Sequence, residues 1–92
     1  MIYNKEKSWS GFIVNRKVYE SVMSGESDNN IKFSDFRKLI IDLGFEFRRQ
    51  RGSHTMYFHD EYKEFLNIQK DGNKAKGYQV EHLRNVIVKH KL

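Results

Sequence analysis

The segment that decides the fold is residues 33–58, FSDFRKLIIDLGFEFRRQRGSHTMYF, because the spacing of its apolar residues changes halfway along. In the first half, Phe36 and Leu39 begin a set of apolar residues that recur at the three-to-four-residue spacing of one helix face. From Phe45 and Phe47 onward, apolar and polar residues alternate, which is typical of a strand with one buried face. The segment therefore predicts a helix followed by antiparallel strands.

Glycine and serine residues indicate where these elements begin and end. Ser34 is expected to cap the amino terminus of the helix, because its hydroxyl can accept a hydrogen bond from a free amide, and Gly44 is expected to end the helix. Gly52 permits a tight turn between the first two strands. In the second strand, the alternation predicts that Met56 and Phe58 face the core.

Further elements are expected on both sides of this segment. Downstream, EFLNIQK supplies a third strand with Leu66 and Ile68 inward, DGNKAKG a basic loop, and YQVEHLRNVIVKHK a last helix with one apolar stripe. Upstream, Asn15 is expected to cap a short helix that stops at Gly25, and SGESDNN forms a loop or linker. The predicted fold is α+β: helix, three antiparallel strands and helix, with both helices on one face of the sheet and an extra helix in front.

This order divides the 92 residues into an amino-terminal extension with a short helix, residues 1–30, and one main domain, residues 31–92. The net charge of +5 belongs to the second part, since residues 1–31 carry four basic and four acidic groups and residues 32–92 carry 13 and 8. A basic domain attracts nucleic acid first and an anionic membrane second. A plain solvated surface explains the charge equally well.

The chain lacks the residues that several other classes of protein require. It has no cysteine, which excludes a disulfide framework and a thiolate metal site. No apolar run is long enough to cross a bilayer, and residues 1–11 contain NKEK instead of the apolar region of a signal peptide. We therefore expect a soluble cytoplasmic protein with no membrane partner.

The runs LGFEFRRQRGSH and KAKGYQVEHLRNVI resemble those of HicA-type mRNA interferase toxins. The resemblance extends over residues 31–92, about two thirds of the chain. It implies a fold similar to the double-stranded RNA-binding domain, endoribonuclease activity on mRNA, and a HicB-type antitoxin as the inhibiting partner in a type II toxin–antitoxin pair. The histidine that follows Gly-Ser is catalytic in that family, which assigns this role to His54.

Elementary chemistry supplies a reason for the role that the resemblance implies for His54. Its neutral imidazole could remove the proton of an RNA 2′-hydroxyl as that oxygen attacks the adjacent phosphate. Arg49 and Arg51 are then expected to stabilise the negative charge that develops on the phosphate oxygens. Gly52 would let the RNA backbone come near, and Ser53 would donate to a phosphate oxygen. This chemistry requires no metal and no cofactor.

Two features complete the predicted site. Lys74 and Lys76, in the basic loop, are expected to line the RNA path or to keep that loop soluble. Thr55 stands where many HicA-type proteins have a second histidine, and NIQK ends the third strand where many have Pro-x-His. The general acid that would protonate the departing 5′-oxygen is therefore unassigned.

The same residues also have ordinary structural explanations. His54 shares strand parity with the expected core residues, so it is predicted to point toward the rim of the helix-covered side, where it could be an edge histidine. The arginines could be edge charges that discourage strand-to-strand aggregation. His59 is interpreted as a solvated turn residue. Four further residues are interpreted as surface, helix-end or packing residues and not as ligands or base-stacking groups: His82, His90, Tyr57 and Tyr78.

Two other functions stay open on the sequence alone. The first is a non-catalytic RNA-binding module of the same fold, in which the basic loop holds a phosphate backbone and His54 only shapes the hairpin. The second is a protein-interaction domain that uses its exposed sheet face or edge. RNA cleavage separates the enzyme from both, and RNA affinity at physiological salt separates the two from each other.

Overall fold

The structure, a computed structural model, describes residues 13–92, so the expectation for the first eleven residues lies outside the described part. The helices are α1 Ile13–Ser24, α2 Phe33–Asp42 and α3 Gly77–His90. The strands are β1 Glu46–Arg51, β2 His54–His59, β3 Glu64–Ile68, β4 Lys70–Asp71 and β5 Lys74–Ala75. No helix within the described range has the length and apolar character needed to cross a lipid bilayer.

Strands β1, β2 and β3 form one antiparallel sheet in that order. The prediction of an α+β fold with a three-stranded antiparallel sheet is therefore confirmed. The segment DGNKAKG, expected to be a loop, instead contains the two-stranded hairpin of β4 and β5. Its turn includes Gly72, which has a φ of 65°.

The predicted cap of α2 is wrong. The helix begins at Phe33 and its N-cap residue is Lys32, so Ser34 lies inside the first turn and no side chain caps the helix. The backbone N–H of Phe33 donates instead to the carbonyl oxygen of Asn73 in the β4–β5 hairpin, over 2.8 Å. A distant carbonyl thus satisfies one of the amides that helix geometry leaves free, and a capping side chain is not required for it.

The predicted cap of α1 is wrong as well, because Asn15 lies inside a helix that begins at Ile13. The predicted ends of the first two helices are confirmed. Gly25 and Gly44 follow α1 and α2 with φ values of 73° and 103°, a conformation that glycine adopts without a steric penalty.

One apolar core joins the three helices to one face of the sheet. Because α1 contributes to this core, it packs into the same body as residues 31–92. The apolar stripes predicted for the helices and the inward residues predicted for β3 are confirmed. The core residues among them are Val18, Val22, Phe36, Leu39, Ile40, Leu66, Ile68, Val80, Leu83 and Ile87.

An ion pair fastens the loop between α1 and α2. The guanidinium of Arg84, in α3, donates to both carboxylate oxygens of Asp28 over 2.9 and 3.0 Å. It also donates to the backbone oxygen of Val22 near the end of α1, over 2.8 Å. This bidentate contact raises the pKa of Arg84, chiefly through the hydrogen bond that the guanidinium donates to Asp28. The polar loop is therefore held against α3.

Strand β2 presents the opposite face from the one predicted. Tyr57 and His59 are 3% and 7% exposed and lie on the core side, whereas Met56 and Phe58 lie on the other face and are half-buried. Tyr57 stands directly opposite the buried Leu66, and directly opposed residues share a face. The predicted buried face of β2 is wrong because apolar side chains occupy both faces of this strand, Met56 and Phe58 on one and Tyr57 on the other.

Strand β1 contains a β-bulge. Phe47 pairs with Tyr57, but Arg49 pairs with Met56, so Arg48 is one extra residue without a partner of its own. Phe47 reaches the core side only at the rim of the sheet, where it is 58% exposed. Phe47 thus lies on the core side of the sheet but is not buried there.

The bulge decides which way the arginines point. Unbroken alternation from Phe47 would place Arg49 and Arg51 on the core face. With the bulge, Arg51 pairs with His54, and both arginines lie on the open face of the sheet with that histidine. One extra residue thus assembles positive charge around the imidazole.

Candidate functional site

An open depression of about 310 Å³ lies on the open face of the sheet, which is the face opposite the core, and we call it the His54 depression. All three strands of the sheet contribute to it. Because the pairing aligns β1 with β2 and β2 with β3, its residues are cross-strand neighbours that share one face. The structure thus brings together the predicted base and the two predicted phosphate-binding arginines. The lining residues are Arg49, Arg51, His54, Met56 and Asn67.

His54 is exposed and lies on the open face, so the prediction that it points toward the helix-covered side is wrong. Its Nδ1 lies 3.3 Å from Oδ1 of Asn67. When Nδ1 carries the proton and donates it to Asn67, Nε2 keeps a free lone pair. Asn67 therefore orients the ring and selects the tautomer in which Nε2 can act as a base.

Sequence reasoning missed Asn67, although a signal for it exists. The residue stands between the inward Leu66 and Ile68, so period-two alternation already places it on the outer face. Asn67 lies close to His54 because of the register between β2 and β3, in which Asn67 pairs with Met56. That register is not visible in either strand alone.

Arg49 and Arg51 are both exposed. Within the part of the chain that the structure describes, no carboxylate forms an ion pair with either of them. A guanidinium presents a planar fork of donors that fits phosphate oxygens. Two such groups beside one imidazole make the depression suitable for a phosphodiester.

Gly52 and Ser53 form the turn between β1 and β2, beside the depression. Gly52 has a φ of 61° and open space where a Cβ atom would lie, so the turn conformation alone requires glycine. The Oγ of Ser53 accepts a hydrogen bond from Nε2 of Gln69 over 2.7 Å, which leaves its own proton free for donation. Gln69 follows β3, so this bond ties the turn to the far strand.

Lys74 and Lys76 lie outside the His54 depression. Lys74 is in β5, and its Nζ donates to Oδ1 of Asn30 over 3.1 Å. Lys76 is the N-cap residue of α3 and is half-buried. Their contribution to an RNA path stays a prediction.

A second depression, of about 290 Å³, opens at the start of α2 and is lined by Lys32, Phe33, Ser34, Arg37, Lys70 and Asn73.

His59 is a buried structural residue, so its interpretation as a solvated turn histidine is wrong. Its Nε2 lies 3.0 Å from the carbonyl oxygen of Leu43, and its Nδ1 accepts the backbone N–H of Tyr62 over 3.3 Å. A neutral ring with its proton on Nε2 satisfies both contacts. The ring also meets Phe45 edge-on, with 5.0 Å between centroids. His59 thus joins the end of α2 to the end of β2.

The other two histidines are as expected. His82 is exposed on α3, and His90 lies in the last turn of that helix. Nε2 of His90 is 2.8 Å from Oε2 of Glu64, which also accepts from Lys89 over 3.2 Å. The hydrogen bond from His90 is the main cause that lowers the pKa of Glu64, against the opposing effect of desolvation.

Aromatic residues occupy both faces of the sheet. Tyr57 is buried, which confirms its interpretation as a packing residue, whereas Tyr78 is 63% exposed at the start of α3, so the same interpretation is wrong for Tyr78. On the open face, the rings of Phe58 and Phe65 lie 4.5 Å apart between centroids. Cζ of Arg48 lies 4.5 Å from the centroid of Phe58. An aromatic cluster with a cation therefore adjoins the His54 depression.

Comparisons with family models, with curated proteins and with solved structures find no match for this chain. Among residues 13–92, no three carboxylate, imidazole or thiolate side chains converge in the way that a metal site requires.

Proposed function

We propose that this protein is an endoribonuclease that cleaves mRNA in the cytoplasm with a histidine base and no metal, as the toxin of a type II toxin–antitoxin pair. The observation that carries the proposal is the exposed imidazole of His54 beside two guanidiniums, Arg49 and Arg51, which lie on one face and form no ion pair with any described residue. The resemblance to HicA-type toxins supports it. So does the order of α2, β1, β2, β3 and α3, which is compatible with a fold like the double-stranded RNA-binding domain.

The reaction begins with proton transfer. Nε2 of His54, left unprotonated by the contact between Nδ1 and Asn67, accepts the proton of the 2′-hydroxyl. The 2′-oxygen forms a bond to phosphorus, and the bond from phosphorus to the 5′-oxygen breaks. The products are a 2′,3′-cyclic phosphate and a 5′-hydroxyl. DNA is not a substrate, because it lacks the 2′-hydroxyl.

The arginines act on the charge of the transition state. Arg49 and Arg51 donate to the non-bridging phosphate oxygens, where negative charge increases as the new bond forms. Removing one preorganised donor of this kind typically costs about 10²–10³ in rate. Lysine would replace either residue poorly, since it lacks the planar fork of donors.

The departing 5′-oxygen takes its proton from water in this scheme, because His54 is the one imidazole among the described residues that line the depression. Thr55, which stands where many HicA-type proteins have a second histidine, pairs with the inward Ile68 and lies on the core side of β2. A histidine at position 55 would point away from the depression in this fold. Its absence therefore removes no group from the site proposed here.

The decisive test replaces His54 with alanine and compares the variant with His82→Ala. Both side chains are exposed, so neither change should affect folding. Loss of a general base typically costs about 10²–10⁴ in rate, so His54→Ala should cleave RNA at least about 100-fold more slowly. His82→Ala should keep the parent rate, and the downstream fragment should carry a 5′-hydroxyl. Cleavage by folded His54→Ala at the parent rate, or a 5′-phosphate on that fragment, would contradict the mechanism.

A second candidate is a non-catalytic RNA-binding module, favoured because the described residues that line the depression include a single imidazole and no general acid besides it. Such a module would bind RNA with a steep dependence on salt and leave it intact. The cleavage assay with the parent protein therefore separates the two candidates directly.

The partner that we propose is a HicB-type antitoxin that covers the His54 depression. Its contact surface should be acidic, because the strand residues of this face include Arg48, Arg49 and Arg51 without a paired carboxylate among the described residues. Charge reversal of Arg49 or Arg51 should therefore weaken antitoxin binding and RNA binding together.

A further inference from the structure

The open face of the sheet carries an aromatic cluster that the proposed chemistry does not use. Phe58 and Phe65 stand opposite each other in β2 and β3, and their rings are tilted by 43°. Phe58 is half-buried and contacts the guanidinium of Arg48, whereas Phe65 is 48% exposed. Phe65 therefore presents an aromatic surface to solvent beside the half-buried ring of Phe58.

The cluster continues the His54 depression along the strands. His54, Met56 and Phe58 alternate on the same face of β2, and His54 and Phe58 are about 13 Å apart at the usual rise of a strand. In β3, Phe65 lies two residues from Asn67, which contacts His54. An extended chain bound at His54 can therefore reach Phe65 across one continuous surface.

The charge of this surface favours a polyanion. Among the strand residues on the open face, three are arginines and one, Glu46, is acidic; Glu46 pairs with Phe58 at the far end of the face. Protein surfaces that bind single-stranded nucleic acid combine a basic path for the backbone with aromatic rings on which bases stack. The open face has both parts.

A base must be unpaired to stack on a protein ring, because the bases of an A-form duplex are stacked on one another and inaccessible at their faces. We propose that single-stranded RNA lies along the open face, with the scissile phosphate at His54 and a neighbouring unpaired base stacked on Phe65. This inference rests on the proposed cleavage of RNA and adds the strandedness of the substrate and a residue that selects it.

The test measures RNA binding separately from cleavage. The background is His54→Ala, which should bind RNA without cutting it, and the probe is a short fluorescein-labelled RNA of mixed sequence, used as a single strand and annealed to its complement. Adding Phe65→Ala should weaken single-strand binding about 5- to 150-fold, as expected for loss of one stacked base. Phe65→Tyr should bind like the background. Phe47→Ala is the matched control, because Phe47 is an exposed phenylalanine on the other side of the sheet.

Salt titration adds a readout that distinguishes stacking from charge. Phe65→Ala should leave the slope of log K against log salt unchanged, because stacking releases no counterions. Arg49→Ala should reduce that slope by about one, as expected for one lost phosphate contact. The duplex should bind more weakly than the single strand, and Phe65→Ala should affect it little.

Each remaining result would overturn the inference in a distinguishable way. If the parent cleaves RNA but Phe65→Ala binds single strands as tightly as the background, stacking on Phe65 is wrong and the proposed function stands. Equal or tighter binding of the duplex would contradict the single-stranded substrate. If no RNA binds to any variant, the inference and the proposed function both fail. Self-association that Phe65→Ala abolishes, with RNA affinity unchanged, would assign this face to a second copy of the chain.

Discussion

One methyl group added at Gly44 should strain both the backbone and a buried side chain of this protein. The residue joins α2 to β1 with a φ of 103°, a conformation that residues with a side chain rarely adopt. A Cβ atom there would lie 2.7 Å from Nε2 of His59, and 3.3 Å from Cδ2 of the same ring. Gly44→Ala would therefore strain the backbone and displace the buried imidazole.

The magnitude follows from these two effects. A positive φ costs an alanine about 1–2 kcal/mol. Displacing the ring breaks the 3.0 Å hydrogen bond from His59 to the carbonyl of Leu43, and a buried polar group left without its partner costs about 1–3 kcal/mol. The variant should thus lose about 2–5 kcal/mol of unfolding free energy, a large part of the about 5–15 kcal/mol of a typical domain.

Urea unfolding followed by circular dichroism measures this loss. Gly72→Ala is the matched control, because Gly72 has a φ of 65° but nothing within 4 Å of an added Cβ atom. It should lose only the backbone contribution of about 1–2 kcal/mol. In a His59→Ala background the ring is absent, so Gly44→Ala should cost no more than the control. The reasoning would be refuted if Gly44→Ala and Gly72→Ala cost the same, or if the cost of Gly44→Ala did not depend on His59.

Two further predictions concern the site and the end of α3. Asn67→Ala should lower the cleavage rate by up to about 100-fold, because His54 loses the contact that orients its ring. The free energy of unfolding should stay unchanged, because Asn67 is exposed. An unaltered cleavage rate would show that Asn67 does not position the ring. The pKa of Glu64 lies below its ordinary value of 4.5 in the folded protein, so on acidification the unfolded chain takes up this proton first. The stabilisation by this carboxylate is therefore complete above pH 4.5 and is lost as the pH falls through the lower pKa of the folded protein. The melting temperature of Glu64→Gln should therefore fall less on acidification than that of the parent, and parallel curves for the two proteins would contradict this.

Much of the fold follows from local patterns in the chain. The stripe that begins at Phe36 and Leu39 predicts α2, since residues three and four apart necessarily share a helix face. Gly25 and Gly44 mark the helix ends because their conformations exclude most other residues. The candidate base and its two arginines could also be named from one short run, RRQRGSH.

The caps could not be predicted in the same way. The first amide of α2 is satisfied by the carbonyl of Asn73, a residue 40 positions later in the chain, so a local search for a serine or asparagine cap selects the wrong residue. The burial of His59 could not be predicted from the sequence for a related reason. Its partners, the carbonyl of Leu43 and the amide of Tyr62, come together only when the end of α2 packs on the end of β2.

By itself, the sequence determined the order of the three helices and of the three strands of the main sheet, the helix faces that are buried, and the residue types that meet at the β1–β2 turn. Only the tertiary structure decided on which side of the sheet those residues act. A strand with apolar residues on both faces, such as β2, can turn either face toward the core. The buried residues of β3 select the face of β2 that is buried, and the extra residue Arg48 sets the face on which the other β1 arginines lie. The reason is physical: a side chain's face in a strand changes with every single-residue shift of register, and register is set by contacts with other strands.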